Sequence, residues 1–155
     1  MKSGKVYLIG AGPGDPKLIT LRGVECIQRA DVVIYDYLAN DQLLKHARMG
    51  AEIVYAGKRK GNQTISQEEI NRLLISHAKK GKLVARLKGG DPFIFGRGGE
   101  EALALAEAKI PFEVIPGVTS AVAVPAYAGI PLTHRDITAT VVLATGHEDV
   151  DKKNS

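Results

Sequence analysis

The stretch Leu83-Val84-Ala85-Arg86-Leu87-Lys88-Gly89-Gly90-Asp91-Pro92-Phe93-Ile94-Phe95-Gly96-Arg97-Gly98-Gly99-Glu100-Glu101-Ala102-Leu103-Ala104-Leu105-Ala106 passes from an apolar run, through a glycine-rich segment, into a helical pattern. Its sixteen positions from Arg86 to Glu101 hold five glycines, three basic and three acidic side chains. That reads as strand, loop and helix. Glycine lets the backbone adopt positive φ or approach a ligand closely, and the carboxyl end of a strand in an open α/β sheet is where ligands bind. The loop lacks the Gly-Lys-Ser/Thr ending of a phosphate-binding P-loop, so it suits a ligand held by backbone groups.

Working outward, short apolar runs alternate with helical patterns. Strands are predicted at Val6–Ile9, Val32–Tyr35, Glu52–Tyr55, Leu83–Leu87 and Phe112–Ile115. Helices are predicted from Thr20, a plausible N-cap, to Ala30, over Asp41–His46, after Ser66, and from the glycine-rich loop to about Lys109. Ser66 and Glu69 form a capping box, and Gly81 suits the end of that helix. Continuous apolar strands alternating with helices predict an α/β fold, a parallel-rich sheet with helices on both faces. The pattern breaks at Pro116-Gly117. Residues 1–116 read as one α/β domain. Residues 117–155 read as a linker helix, Ser120–Ala128 with Pro125 kinking it, followed by Thr138–Ala144 as the opening strand of a second, incomplete α/β domain.

Composition narrows the function. The chain of 155 residues carries a net charge of +4, with only 5% aromatic residues and no tryptophan. A nucleic-acid domain usually shows a denser basic stripe and aromatic stacking platforms; a small polyanionic substrate suits this charge better. No apolar run approaches a membrane span, and the start of the chain reads as strand and turn rather than a signal peptide. The expectation is a soluble, cytoplasmic protein. The lone Cys26, in an apolar helix face, reads as a core residue. The histidines at 46, 77, 134 and 147 show no metal-ligand spacing, so no metal site is expected.

Two further constellations could carry chemistry. Gly10-Ala11-Gly12-Pro13-Gly14-Asp15 follows the first strand, and Asp36 ends the second. The arrangement resembles a dinucleotide fingerprint, but the spacing is wrong and Pro13 removes an amide that a phosphate would use. The other joins Gly117-Val118-Thr119-Ser120-Ala121 with Gly129-Ile130-Pro131-Leu132-Thr133-His134-Arg135-Asp136, which could equally be a helix cap and a proline turn.

In this order, GAGPGD, YDYL, GKR, RLKGGDPFIFGRGGEE, EVIPGVTSA and AGIPLTHRD resemble the tetrapyrrole methylases over Val6–His147. Among these the segments GRGGEE and GIPLTHRD are most similar to the members that act on uroporphyrinogen III. The resemblance implies transfer of methyl groups from S-adenosyl-L-methionine to two ring carbons, with S-adenosyl-L-homocysteine released. Precorrin-2 forms by way of precorrin-1, on the route to sirohaem and cobalamin. It implies a homodimer, with Pro13, Gly89, Gly90, Asp91, Ile94, Thr119 and Ser120 lining the cofactor site. Asp36 matches the family's proton acceptor and Lys58 its proton donor. The substrate is a polycarboxylate, so Arg59, Arg97 and Arg135 are candidate anchors beside Lys58, because guanidinium pairs with carboxylate through two hydrogen bonds. Family members continue as a second domain, so weak cofactor binding and poor turnover are expected of this chain alone. Two alternatives stay open: a non-catalytic module that binds S-adenosyl-L-methionine, and a methylase of the same fold acting on another tetrapyrrole.

Overall fold

The computed structural model describes residues 4–57 and 65–146. Lys58 and Arg59 lie outside the described residues. The chain divides into two compact units, Met1–Ser120 and Ala121–Ser155.

Among the described residues the first unit is built on five strands: β1 (Lys5–Gly10), β2 (Val32–Tyr35), β3 (Glu52–Tyr55), β4 (Leu83–Lys88) and β5 (Phe112–Ile115). They form one sheet in the order β3-β2-β4-β1-β5, and every pair is parallel. Helices α1 (Leu21–Arg29), α2 (Gln67–Lys79) and α3 (Gly98–Glu107) supply the crossovers, with a 3-10 helix over Asp41–His46 between β2 and β3. The caps follow from side chains named above: Thr20 accepts a hydrogen bond from the Gly23 amide, and the Ser66–Glu69 capping box is fully formed. Such a cap stabilises a helix by about 1 kcal/mol.

Both faces of the sheet are covered. Cys26, Ile27 and Ala30 pack with Leu43 against Tyr7, Ile9, Val33, Ala85 and Leu87. On the other face Ile70, Leu74 and Ala78 of α2 and Leu105 of α3 pack against Val6, Leu8, Ile34 and Val84. Cys26 is thus a core residue, 1% exposed. Because β1 and β4 are adjacent while the helices that follow them cover opposite faces, their carboxyl ends form a topological switch point, the usual place for a ligand in such a sheet.

The second unit keeps the expected helix but not the expected strand. Helix α4 (Ser120–Tyr127), which begins at the boundary, continues past Pro125. Thr138–Ala144, expected as a strand, is not one. The only pairing described there is a single antiparallel bridge, His134 to Thr138, closing the turn over 135–137. A β-branched run makes a strand only when a neighbouring strand takes up its amides and carbonyls, and no other strand is described in this unit. No helix among the described residues is long and apolar enough to cross a membrane.

Candidate active site

Three loops meet at the carboxyl ends of β1, β4 and β5. The Ala11 amide donates to the Lys88 carbonyl (2.7 Å), and Gly12 and Gly90 exchange two backbone hydrogen bonds, 3.2 and 2.7 Å. The Asp91 carboxylate accepts from the Phe93 amide with Oδ1 (2.8 Å) and from the Gly117 amide with Oδ2 (2.9 Å). It clamps the loop after β4 to the loop after β5. The backbones come so close that no side chain fits between them. A Cβ on Gly10 would lie 2.5 Å from the Gly117 Cα and 2.7 Å from the Gly90 oxygen. Gly90 itself sits at φ +63°, and a Cβ there would meet only the Thr119 Cα, at 3.6 Å. Gly10 and Gly117 therefore serve the frame, whereas Gly90 keeps a space open between residues 89–91 and Thr119.

Asp36 follows β2 on the same edge. Its Oδ1 accepts the Leu38 amide (3.0 Å) and its Oδ2 accepts Nη2 of Arg86 (2.8 Å). The side chain is 18% exposed. It lines a cavity of about 480 Å3 with Gly14, Tyr35, Tyr37, Asn40 and Tyr55. Tyr35 and Tyr55 meet edge to face, centroids 5.3 Å apart. Asn40 donates to the Gly14 carbonyl (2.8 Å) and ties this cavity to the first glycine-rich loop.

Beneath Asp36 lies a buried charge network. Arg86 and Lys88 alternate with the core residues Ala85 and Leu87, so both point to the face covered by α2 and α3. There Nε of Arg86 (3.3 Å), Nζ of Lys88 (2.8 Å) and Nε2 of Gln67 (3.3 Å) all donate to Oε1 of Glu101, on the first turn of α3. Nη1 of Arg86 donates to the Leu87 carbonyl (2.9 Å). Glu101 is fully buried, and its Oε2 has no hydrogen-bond partner among the described residues. Burial pushes the Lys88 ammonium below the usual lysine range, with repulsion from Arg86 adding to it and attraction to Glu101 opposing it.

The chain belongs to the tetrapyrrole methylases. The family described as Tetrapyrrole (Corrin/Porphyrin) Methylases matches residues 5–154. The chain is 60% identical over 151 residues to uroporphyrinogen-III C-methyltransferase of Methanocaldococcus jannaschii, covering 97% of this chain and 62% of that protein. It resembles the crystal structure of uroporphyrin-III C-methyl transferase from Thermus thermophilus complexed with S-adenosyl homocysteine: TM-score 0.74, 50% identity, 88% of this chain and 57% of that one. The cobalt precorrin-4 methyltransferase structure gives a TM-score of 0.77 at 37% identity, over 89% of this chain and 56% of that one. The chain thus spans about 60% of the length of the uroporphyrinogen-III C-methyltransferase it matches.

Of the methylase residues expected from sequence, the first unit brings together Gly89, Gly90, Asp91 and Thr119 at the three-loop junction, with Pro13 one residue beyond the Gly12–Gly90 bridge. Pro13 is half-buried and Ser120 is exposed at the start of α4. Ile94 is 38% exposed, between the exposed Phe93 and Phe95. Arg97 forks onto Glu100 through Nε (2.7 Å) and Nη2 (2.8 Å). That pairing raises the Arg97 pKa and lowers that of Glu100. Arg135 is exposed in the turn of the second unit. Lys58 and Arg59 fall outside the described residues. No group of three or more His, Cys, Asp or Glu among the described residues could hold a metal ion. Arg86, Lys88 and Glu101 had no assigned role in the sequence reading. Their signal was two cations, two positions apart, inside an otherwise apolar strand.

Proposed function

We propose that this chain carries the cofactor-binding and proton-transfer part of a methyltransferase that uses S-adenosyl-L-methionine to C-methylate uroporphyrinogen III to precorrin-2. The observation that carries the reading is 60% identity, across 97% of the chain, to a uroporphyrinogen-III C-methyltransferase. The residues fit the cofactor. A Cβ on Gly90 would meet only the Thr119 Cα, at 3.6 Å, and Pro13 and Ile94 offer apolar surface beside backbone polar groups. Pro13, Gly89, Gly90, Ile94, Thr119 and Ser120 would hold it, and Asp91 would serve by clamping the two loops that frame it.

When bound, S-adenosyl-L-methionine supplies an electrophilic methyl group. The chain's own residues then have two tasks. One is positioning: the locked junction fixes where a ligand can lie, and fixed geometry can supply a large share of a rate enhancement. The other is moving a proton. A methylated ring must lose one, and each Asp36 oxygen keeps a lone pair beyond the one donor it has among the described residues, since an ionised carboxylate offers about four acceptor sites. Lys58 is the proposed proton donor. Arg59, Arg97 and Arg135 are the proposed anchors for substrate carboxylates; Arg97 keeps N–H groups beyond the two given to Glu100. The whole protein would act as a cytoplasmic homodimer.

Calorimetric titration with S-adenosyl-L-homocysteine, with NADH as control, tests the first half of the reading. Binding of the first and not the second, lost in Gly90→Arg, is the expected result; the reverse selectivity would sink it. Incubation with uroporphyrinogen III and labelled S-adenosyl-L-methionine tests the second half. A second reading, a methylase acting on another tetrapyrrole, is favoured by the likeness to the cobalt precorrin-4 enzyme. It predicts label transfer to a corrin intermediate and none to uroporphyrinogen III.

A further inference from the structure

We propose that Arg86 and Glu101 are positioning residues: Glu101 holds the Arg86 guanidinium, and Arg86 holds the Asp36 carboxylate in the orientation that receives a proton from the adjoining cavity. The inference rests on the reading of Asp36 as proton acceptor.

The guanidinium is held on three sides by three different parts of the fold. Nε goes to Glu101 on α3, Nη1 to the Leu87 carbonyl of its own strand and Nη2 to Asp36 at the end of β2. A planar group with three acceptors around it cannot swing. Asp36 is in turn held at both oxygens, by Arg86 and by the Leu38 amide. The carboxylate plane is therefore set, and with it the direction of the remaining lone pairs. Glu101 is the anchor of the chain of contacts. Its Oε1 takes three donors, from β4 twice and from Gln67 of α2, and its side chain is wholly buried.

Stability does not explain the network. Buried ion pairs contribute little net stability compared with apolar groups of the same volume, because desolvation offsets the attraction. Here the fold buries Arg86, Lys88 and Glu101 under Asp36, one of two aspartates, with Asp41, that line the cavity; of the two, it is Asp36 that Arg86 holds. The four charges, Asp36 and Glu101 against Arg86 and Lys88, sum to zero, so the network adds no net charge at the site. What it supplies is direction. Arginine is needed because only its rigid fork reaches three acceptors in one plane; lysine offers a point charge.

The test uses the 15N-labelled chain and the backbone amide of Leu38, which reports on Asp36 Oδ1 directly. In Asp36→Ala the acceptor is gone, and the Leu38 amide peak marks the unbonded position. In Arg86→Met and Arg86→Lys the peak is expected to move most of the way to that position, while the peaks of Val6 and Leu105 stay in place. Arg86→Lys keeps the charge balance, so it serves if the methionine variant does not fold. Methyl transfer by the lysine variant is expected to fall on the order of 100-fold in kcat, the scale of a misplaced catalytic group, with KM and S-adenosyl-L-homocysteine affinity little changed. A Leu38 peak at the wild-type position in the folded lysine variant overturns the proposal, and so does kcat equal to wild type. Binding of NADH and not of S-adenosyl-L-homocysteine by the wild-type chain overturns the functional reading instead; the Leu38 peak then still decides whether Arg86 orients Asp36.

Discussion

At the amino edge of the sheet, charges pair in water. Lys5 and Glu113 meet at 2.7 Å with side chains 35% and 33% exposed, and Lys82 and Glu52 meet at 2.8 Å with 35% and 48% exposed. At the carboxyl edge, Arg86, Lys88 and Glu101 pair at similar distances but are only 3%, 4% and 0% exposed. Exposed pairs contribute about 0–1 kcal/mol and are screened by salt. Buried ones are costly to make and costly to break. The same chemistry is thus inexpensive at one end of each strand and demanding at the other. The demanding end is the one where ligands bind in such sheets.

The sharpest way to break this contrast is Glu101→Ala. It leaves two buried cations without their shared acceptor and is expected to cost about 3–5 kcal/mol, read as a lowered urea midpoint at unchanged slope. Next comes Gly117→Ala, whose Cβ would collide with Gly10 and with the Gly90 carbonyl. Overpacking of this kind costs about 1–3 kcal/mol, and calorimetry should show weaker S-adenosyl-L-homocysteine binding alongside the lost stability. Glu113→Gln, at the other edge, should cost less than about 1 kcal/mol and lose even that in molar salt. A loss there as large as for Glu101→Ala would erase the distinction between the edges.

The smallest effect is a matter of pH. The Asp31 carboxylate accepts the Leu83 amide at 2.7 Å and pairs with Arg48. That hydrogen bond foremost, with Arg48 adding to it, holds its pKa below the usual aspartate value. Lys5 and then Arg22 lower that of Glu113. A carboxylate with a lowered folded-state pKa contributes stability that is complete above its unfolded value, about 4. That stability fades as pH falls through the lowered folded value. The urea midpoint should hold from neutrality to about pH 5 and then drop, and Asp31→Asn should flatten the drop. An equally steep fall in the variant would place the acid sensitivity elsewhere.

Much of the first unit was legible in the sequence because its signals are local. β2, β3 and β5 occupy the residues expected of them, since each is a short apolar or β-branched run bounded by turn residues. The capping box at Ser66–Glu69 carries its own geometry. Two kinds of feature were not legible. One is pairing: Thr138–Ala144 has the composition of a strand, but composition cannot supply the neighbour that a strand requires. The other is long-range compensation. Arg86 and Lys88 are charges in an otherwise apolar strand, yet their acceptor Glu101 lies a loop and a helix turn away, and only packing brings it under the sheet. Asp91 shows the same limit. The resemblance implies a place for it in the cofactor site, and only the structure shows that both its oxygens accept backbone amides.

The glycine junction has a consequence for synthesis of the protein. Gly10 emerges from the ribosome early, Gly90 much later and Gly117 later still, yet the three backbones touch. Contacts so distant in sequence form slowly and cannot be rehearsed by shorter pieces of the chain. The nascent polypeptide can therefore assemble α1 and pair β2 with β3 while it is still incomplete, but it cannot frame the pocket until β5 has been delivered. Competence to take up a ligand should appear in one step, near the end of translation of this unit. Until then the growing chain has no framed pocket to offer a ligand.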